Sequence, residues 1–233
     1  MLPPTLPWHT LDRARTTDGA ELTLSCRDTQ FAIRVDGQEL MSSDSHGSEE
    51  KLAVHGCAGL GAVSGVRVLI GGLGMGFTAR AALEELALDA QVDVVELVSA
   101  VVRWNREVIG HLAGAPLLDP RVRVIEGDVT DSIESARDHY DVILLDVDNG
   151  PYALTSSVNR RIYTPAGLAI ARRALRPDGV LALWSSFESS RFTARLRSAG
   201  FDVVVKRVRA RSREDQRHVL WLARAPETSH PSC

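Results

Sequence analysis

The stretch 66–76, V-R-V-L-I-G-G-L-G-M-G, followed directly by Phe77-Thr78-Ala79-Arg80, constrains this chain more than any other. An apolar, β-branched run breaks into glycines at Gly72, Gly74 and Gly76 and then opens a helical pattern. That order is the strand, tight turn and helix N-terminus of a nucleotide-binding crossover. Glycine lets the backbone approach a ligand there, and the helix turns its first N–H groups toward it. Such a unit commits the chain to parallel strands, which a hairpin cannot join and crossover helices must.

The rest of the chain can be placed around that turn. Residues 1–18 read as a loose arm. Segments 21–26 and 31–35 alternate apolar and polar residues with the period of half-buried strands, and Asp36-Gly37 turns the chain into 38–41. This predicts a small antiparallel sheet of two or three strands, too small to stand alone, that packs on the main domain or on a second subunit. The polar segment 42–51, S-S-D-S-H-G-S-E-E-K, reads as a surface loop running into a helix; a functional reading stays open because it would lie near the mouth of the main site.

From residue 66 onward strand and helix alternate. Strands are expected at 66–70, 92–96, 122–126, 141–146 and 180–184, and helices at 78–88, 99–112, 165–175 and 191–199. The run D-V-I-L-L-D at 141–146 is almost continuously apolar, as in a strand buried on both faces. Thr164-Pro165 supplies a helix cap with proline at the first helical position, and Arg176-Pro177-Asp178-Gly179 a turn. Strands at 201–208 and 218–223 would close the sheet as a hairpin. The sum is a seven-stranded, mostly parallel sheet with helices on both faces and a ligand crevice at the carboxyl ends of its first strands.

Composition excludes several classes. A net charge of −3 and a pI near 6.2 disfavour a nucleic-acid partner, and the basic residues between 206 and 217 read as a solvated hairpin. Cys26, Cys57 and Cys233 are odd in number and lack C-x-x-C spacing, so neither a disulfide framework nor a zinc site is indicated, and no metal is expected. The first ten residues lack a basic and apolar leader pattern, and no window reaches the ~18 apolar residues of a membrane span. A cytoplasmic protein without membrane contact is expected.

Four acids mark the crevice. Glu96 ends the second strand twenty residues after Gly76, where a carboxylate receives ribose hydroxyls. Asp128 follows the third strand in E-G-D, a position that suits either a turn or the reading of an adenine amino group. Asp146 and Asp148 follow the buried fourth strand in D-V-D-N-G-P, at the switch point of the sheet.

The motifs L-I-G-G-L-G-M-G, V-V-E-L, D-P-R-V-R-V-I-E-G-D, Y-D-V-I-L-L-D and A-L-R-P-D-G-V-L-A stand together in one order and spacing. In them the chain resembles the spermidine synthase-like branch of the S-adenosylmethionine-dependent methyltransferase superfamily, which implies a Rossmann-like α/β fold. It implies an arm, small β-sheet and connecting loop over 1–60, an S-adenosylmethionine-binding domain over 61–225 and a tail over 226–233. Gly71, Gly72, Gly74, Gly76, Glu96, Leu97, Gly127, Asp128, Val129 and Asp146 would hold the cofactor, with Glu96 on the ribose, Asp128 on the adenine and Asp146 at the sulfonium. Asp146 and Asp148 would be catalytic. A homodimer is the expected assembly.

Three departures bear on the reaction. Aminopropyltransferases of this family carry G-G-G-D-G-G, whose aspartate recognises the ammonium of decarboxylated S-adenosylmethionine; Gly74 stands there in this chain. A Tyr-His pair that grips the polyamine falls on Ser48 and Glu49, and D-S-S-D-P has become Asp146-Val147-Asp148-Asn149-Gly150-Pro151. Without the acid at 74, turn N–H groups are open to the carboxylate of intact S-adenosylmethionine. The expectation is therefore a methyltransferase acting on a nitrogen or oxygen of a small-molecule acceptor, with Asp146 or Asp148 orienting the acceptor. The alternative is an aminopropyltransferase using the decarboxylated cofactor, with Asp44, Glu49, Glu50 and Asp148 attracting a cationic amine. A non-catalytic binding or dimerisation module is a third reading. A nicotinamide-dependent dehydrogenase is disfavoured because no Tyr-x-x-x-Lys pair follows the fourth strand.

Overall fold

The computed structural model describes residues 6–16, 18–146, 161–209 and 217–226. Four strands, β1 (His9–Arg15), β2 (Glu21–Arg27), β3 (Gln30–Val35) and β4 (Gln38–Ser42), pair in sequential order as one antiparallel sheet. Their alternation buries Leu22, Leu24 and Ile33. The small sheet has one strand more than expected, because 9–15 is not part of a loose arm. It pairs with β2 from His9 against Cys26 to Arg15 against Glu21, with a bulge between Thr10 and Asp12. Its side chains carry little apolar signal, so ladder hydrogen bonds and one anchor hold it. Asp12 Oδ2 accepts from Trp104 Nε1 at 2.7 Å and from Arg103 Nη2 at 2.5 Å, tying the small sheet to a helix of the large one.

The second sheet holds β5 (Arg67–Gly71), β6 (Gln91–Glu96), β7 (Val122–Glu126), β8 (Tyr140–Leu145), β9 (Leu175–Ser185), β10 (Asp202–Arg209) and β11 (Arg217–Arg224) in the order β10-β11-β9-β8-β5-β6-β7. Strands β9 to β7 in that order run parallel, and β11 joins antiparallel to β9 and β10. The chain builds outward from β5 through β6 to β7 and then returns to place β8 on the other side of β5. The switch point therefore lies between the carboxyl ends of β5 and β8, where Gly71 and Asp146 meet: Asp146 N donates to Gly71 O at 3.0 Å.

Both faces of the large sheet are covered. Val68, Ile70, Val92, Val94, Val142 and Leu144 pack under α1 (Gly47–Gly56), α2 (Phe77–Glu85) and α3 (Ser99–Trp104). Leu69, Val95, Ile143, Leu145, Leu181 and Leu183 pack under α4 (Val129–Ser135), α5 (Pro165–Ala174) and α6 (Ser190–Ser198). This two-sided burial explains the unbroken apolar runs of the strands. Caps follow the residue types: Thr164 Oγ1 accepts from Gly167 N at 3.0 Å, and Ser189 Oγ from Phe192 N at 3.1 Å.

Three local features differ from the sequence-based expectation. The run 99–112 is α-helical only to Trp104 and continues as a π-turn over Asn105–Ile109 and a 3₁₀ turn over Gly110–Ala113. Helix α4 was not anticipated. The turn at 176–179 lies inside β9, whose pairing to β8 skips from Leu175 to Val180, so those residues bulge out of a continuous strand. Among the described residues no helix is long and apolar enough to cross a membrane.

Candidate functional site

One cleft opens at the carboxyl ends of the parallel strands, below the small antiparallel sheet. Gly72 and Gly74 of the turn after β5 line it. So do Glu96, Leu97 and Val98 after β6, Gly127, Asp128 and Val129 after β7, and Asp146 after β8. Leu22, Ile33, Val35, Leu40 and Met41 of the small sheet form the opposite wall. The cleft combines an apolar wall with a few convergent polar groups, the make-up of a small-molecule site.

Eight of the ten residues assigned to the cofactor from sequence thus share one surface: Gly72, Gly74, Glu96, Leu97, Gly127, Asp128, Val129 and Asp146. Gly71 and Gly76 are not on it. A Cβ on Gly71 would come within 2.8 Å of Val129 Cγ2 and 3.0 Å of Leu145 Cδ2, so glycine there lets helix and strands close together. Gly76 caps α2 at φ +87°, a left-handed conformation that side chains strain. Asp148 lies outside the described residues, as does most of the tail.

Glu96 is buried and divided between two backbone donors, with Leu73 N on Oε2 at 2.9 Å and Val98 N on Oε1 at 2.8 Å. This pins the carboxylate across the gap between the glycine turn and β6. Asp128 is the N-cap of α4: its Oδ1 accepts from Thr130 N at 2.8 Å, so the turn reading and a ligand reading coexist on one side chain. Asp146 Oδ2 accepts from Thr78 Oγ1 at 2.7 Å.

Sequence reasoning left the best-placed residue of all undecided. Glu49, on the first turn of α1, lines the cleft together with Gly74 and Asp146. Its Oε2 accepts from Ser48 Oγ at 2.6 Å, and Ser48 Oγ meets His218 Nδ1 of β11 at 2.8 Å. Burial pushes Glu49 up to about 7, and the charge of Asp146 adds to it. Burial likewise pushes Asp146 up to about 6, against the pull of the Thr78 hydroxyl. The two carboxyls line one recess beside Gly74 and resist joint ionisation. Neighbouring Glu50 is turned away from them, held by Arg80 Nη2 at 2.6 Å and His46 Nδ1 at 3.0 Å.

The described lining carries one sign. Asp18, Glu49, Glu96, Asp128 and Asp146 contribute carboxylates, and no Lys, Arg or His is present among the described residues that line the cleft. Such a cavity suits a cation and repels an anion.

Comparison with known proteins follows the same direction. The model of the spermine/spermidine synthase domain matches residues 51–195, more than half of the chain. The chain belongs to the spermine/spermidine synthase family. Among curated relatives, the polyamine aminopropyltransferase of Korarchaeum cryptofilum is 30% identical over 119 residues, 51% of this chain and 35% of that protein. The polyamine aminopropyltransferase of Oceanobacillus iheyensis is 31% identical over 167 residues, 69% of this chain and 31% of that protein. The chain thus spans about a third of the length of these relatives. A solved spermidine synthase in complex with the transition-state analogue AdoDATO superposes with a TM-score of 0.77 at 17% identity, covering 94% of this chain and 74% of that one. Spermidine synthase from Thermotoga maritima gives 0.72 at 16% identity, covering 94% and 73%. At these identities the likeness establishes the fold.

The expectation of methyl transfer is corrected by these findings. It rested on a turn with N–H groups open to a carboxylate, and those groups are largely spent. Gly72 N donates to Val95 O at 2.9 Å, Leu73 N to Glu96, and Gly76 N to Leu73 O at 2.8 Å. The space beside Gly74 is taken by Met41, whose Cε lies 2.9 Å from where a Cβ would stand. A carboxylate brought there would meet Glu49, with no cation among the described lining residues to offset it. The family's spermine/spermidine synthase domain and the curated aminopropyltransferases support the alternative reading instead.

Proposed function

We propose that the chain is a transferase of the polyamine aminopropyltransferase type, moving an aminopropyl group from decarboxylated S-adenosylmethionine to a small amine. The observation that carries this reading is that the charged residues of the described cleft lining at the switch point are all acidic. Decarboxylated S-adenosylmethionine is a dication without a carboxylate, and an amine acceptor is cationic in water; both are drawn to such a lining, whereas intact S-adenosylmethionine brings an anionic group into it.

The donor fits the residues present. Glu96 is positioned for the ribose, since a carboxylate oxygen that already holds one N–H accepts a further hydrogen bond. Asp128 suits the adenine edge, with Leu97, Val98 and Val129 supplying apolar wall. When bound, the donor supplies an electrophilic carbon on a positively charged sulfur that departs as a neutral thioether. The acceptor must present a neutral nitrogen, so a carboxylate has to take or share its proton. Asp146, raised toward neutrality by burial and steadied by Thr78, is the described group placed for that task. Proximity in a cavity of one sign contributes the remainder of the rate.

The test is thioether release from decarboxylated S-adenosylmethionine that depends on an added diamine. Release that needs the diamine and is abolished in Asp146→Asn supports the reading; no release with any of a panel of diamines and polyamines refutes it.

A further inference from the structure

The glycine turn itself carries no charged side chain at 71–76, yet the space around Gly74 is not left without a carboxylate. Glu49 approaches it from α1, on the opposite side of a small recess that Met41, Leu73, Gly74, Thr78 and Asp146 complete. The glutamate is not a mobile surface residue. Ser48, fully buried, donates to its Oε2, and Ser48 in turn meets His218, itself 6% exposed, from a strand 170 residues away. Burial pushes His218 below its ordinary value, which favours the neutral ring, and with Ser48 donating to Glu49 the Nδ1 proton of His218 points to Ser48. A buried chain of two hydrogen bonds thus fixes one carboxylate in a recess where two carboxyls repel each other. Beside it, the Trp184 Nε1, buried and without a hydrogen-bond partner among the described residues, lines the same cleft, and its ring packs edge-on against His218 at 4.7 Å. Buried acids held together in this way are costly without a positive partner and are relieved by a ligand that brings a cation.

We propose that Glu49, positioned by Ser48 and His218, receives the primary ammonium of the donor's aminopropyl arm and thereby makes the cleft select the decarboxylated sulfonium over the carboxylated one. The discriminating acid thus stands on α1 and not in the turn. This inference rests on the aminopropyl-transfer reading and assigns within it the residue that discriminates between donors. Glu49 is the specificity-determining group; Ser48 and His218 act through it as positioning residues. Asp146 remains at the reacting end, so the recess holds one acid for the arm and one for the transfer.

Calorimetric titration of the wild-type chain and of Glu49→Gln with decarboxylated and with intact S-adenosylmethionine tests the proposal. The wild type should prefer the decarboxylated form by at least ten-fold. Glu49→Gln should lose at least ten-fold in affinity for it, about 1.4 kcal/mol, while its affinity for the intact form holds or rises. Ser48→Ala should weaken the decarboxylated form by a smaller factor, and that loss should vanish in the Glu49→Gln background, which a merely structural serine would not do. Glu49→Asp should restore part of the preference. Equal losses for both donors, or an unchanged preference in Glu49→Gln, overturn the role of Glu49 while leaving aminopropyl transfer by the wild type intact. A wild type that fails to bind the decarboxylated form overturns the functional reading itself, and the inference with it.

Discussion

Replacing Glu49 by Gln should make the ligand-free protein more stable at pH 8 and leave it nearly unchanged at pH 5. Glu49 is pushed up to about 7, chiefly by burial, then by the Asp146 charge and more weakly by Glu50, with the Ser48 hydroxyl pulling the other way. Asp146 is pushed up to about 6. No positive charge lies among the described lining residues to offset the pair: Arg80 and His46 are engaged with Glu50, and His218 is neutral. A raised carboxyl means that the folded protein keeps a proton which the unfolded chain has released, so stability is greatest below the unfolded values, falls above them and reaches its floor once pH has passed about 6 to 7. Each unit of displacement is worth about 1.4 kcal/mol. Partial exposure and a proton shared between two groups reduce the net cost at pH 8 to about 1–2 kcal/mol. Gln is isosteric, still accepts from Ser48 and carries no charge, so it removes that cost. At about 2–4 °C per kcal/mol for a chain of this size, calorimetric unfolding should show a gain of roughly 2–8 °C at pH 8 and next to none at pH 5. A variant that is less stable at pH 8, or shifted equally at both values, refutes the view that charge rather than packing governs Glu49.

Other perturbations probe the neighbouring parts. Thr78→Val removes the hydrogen bond that favours ionised Asp146, so the acidic limb of the rate profile should move to higher pH, with about a ten-fold loss at neutral pH; an unmoved limb would separate Asp146 from the proton transfer. Glu96→Gln sets an amide NH₂ against one of two backbone donors. It should lower stability by about 1–3 kcal/mol and weaken donor binding in the same titration, and unchanged donor affinity would remove Glu96 from the site. Asp12→Ala leaves the buried Trp104 indole N–H without its acceptor and should cost about 1–2 kcal/mol. Hydrogen exchange should then quicken at the amides of β1 while those of β5 and β8 stay protected.

Much of the frame was legible because it depends on local pattern. Short apolar runs such as V-I-L-L, bounded by turn signals, fit a strand covered on both faces, and a glycine turn between strand and helix announces its own position. What escaped depends on partners far away in the chain. Strand β1 carries little apolar alternation and is held by its ladder and by Asp12 reaching Trp104. Helix α4 is only seven residues long, and its cap, Asp128, reads equally well as a turn. Glu49 sits in a polar run that looks like any solvated helix start; only contact with Ser48, His218 and Asp146 distinguishes it from Glu50 beside it. The misreading of Gly74 has the same origin. A missing side chain suggested an opening, but the fold fills that opening with Met41 and supplies an acid from another helix.

The central claim is that this acidic cleft transfers aminopropyl groups, and the most direct measurement supplies both sulfonium donors together at equal concentration with a diamine and weighs the product by mass spectrometry. The account predicts an amine heavier by one aminopropyl unit, formed only when the decarboxylated donor is present and lost in Asp146→Asn. A methylated amine, or a product mass unaffected by the decarboxylated donor, would contradict it.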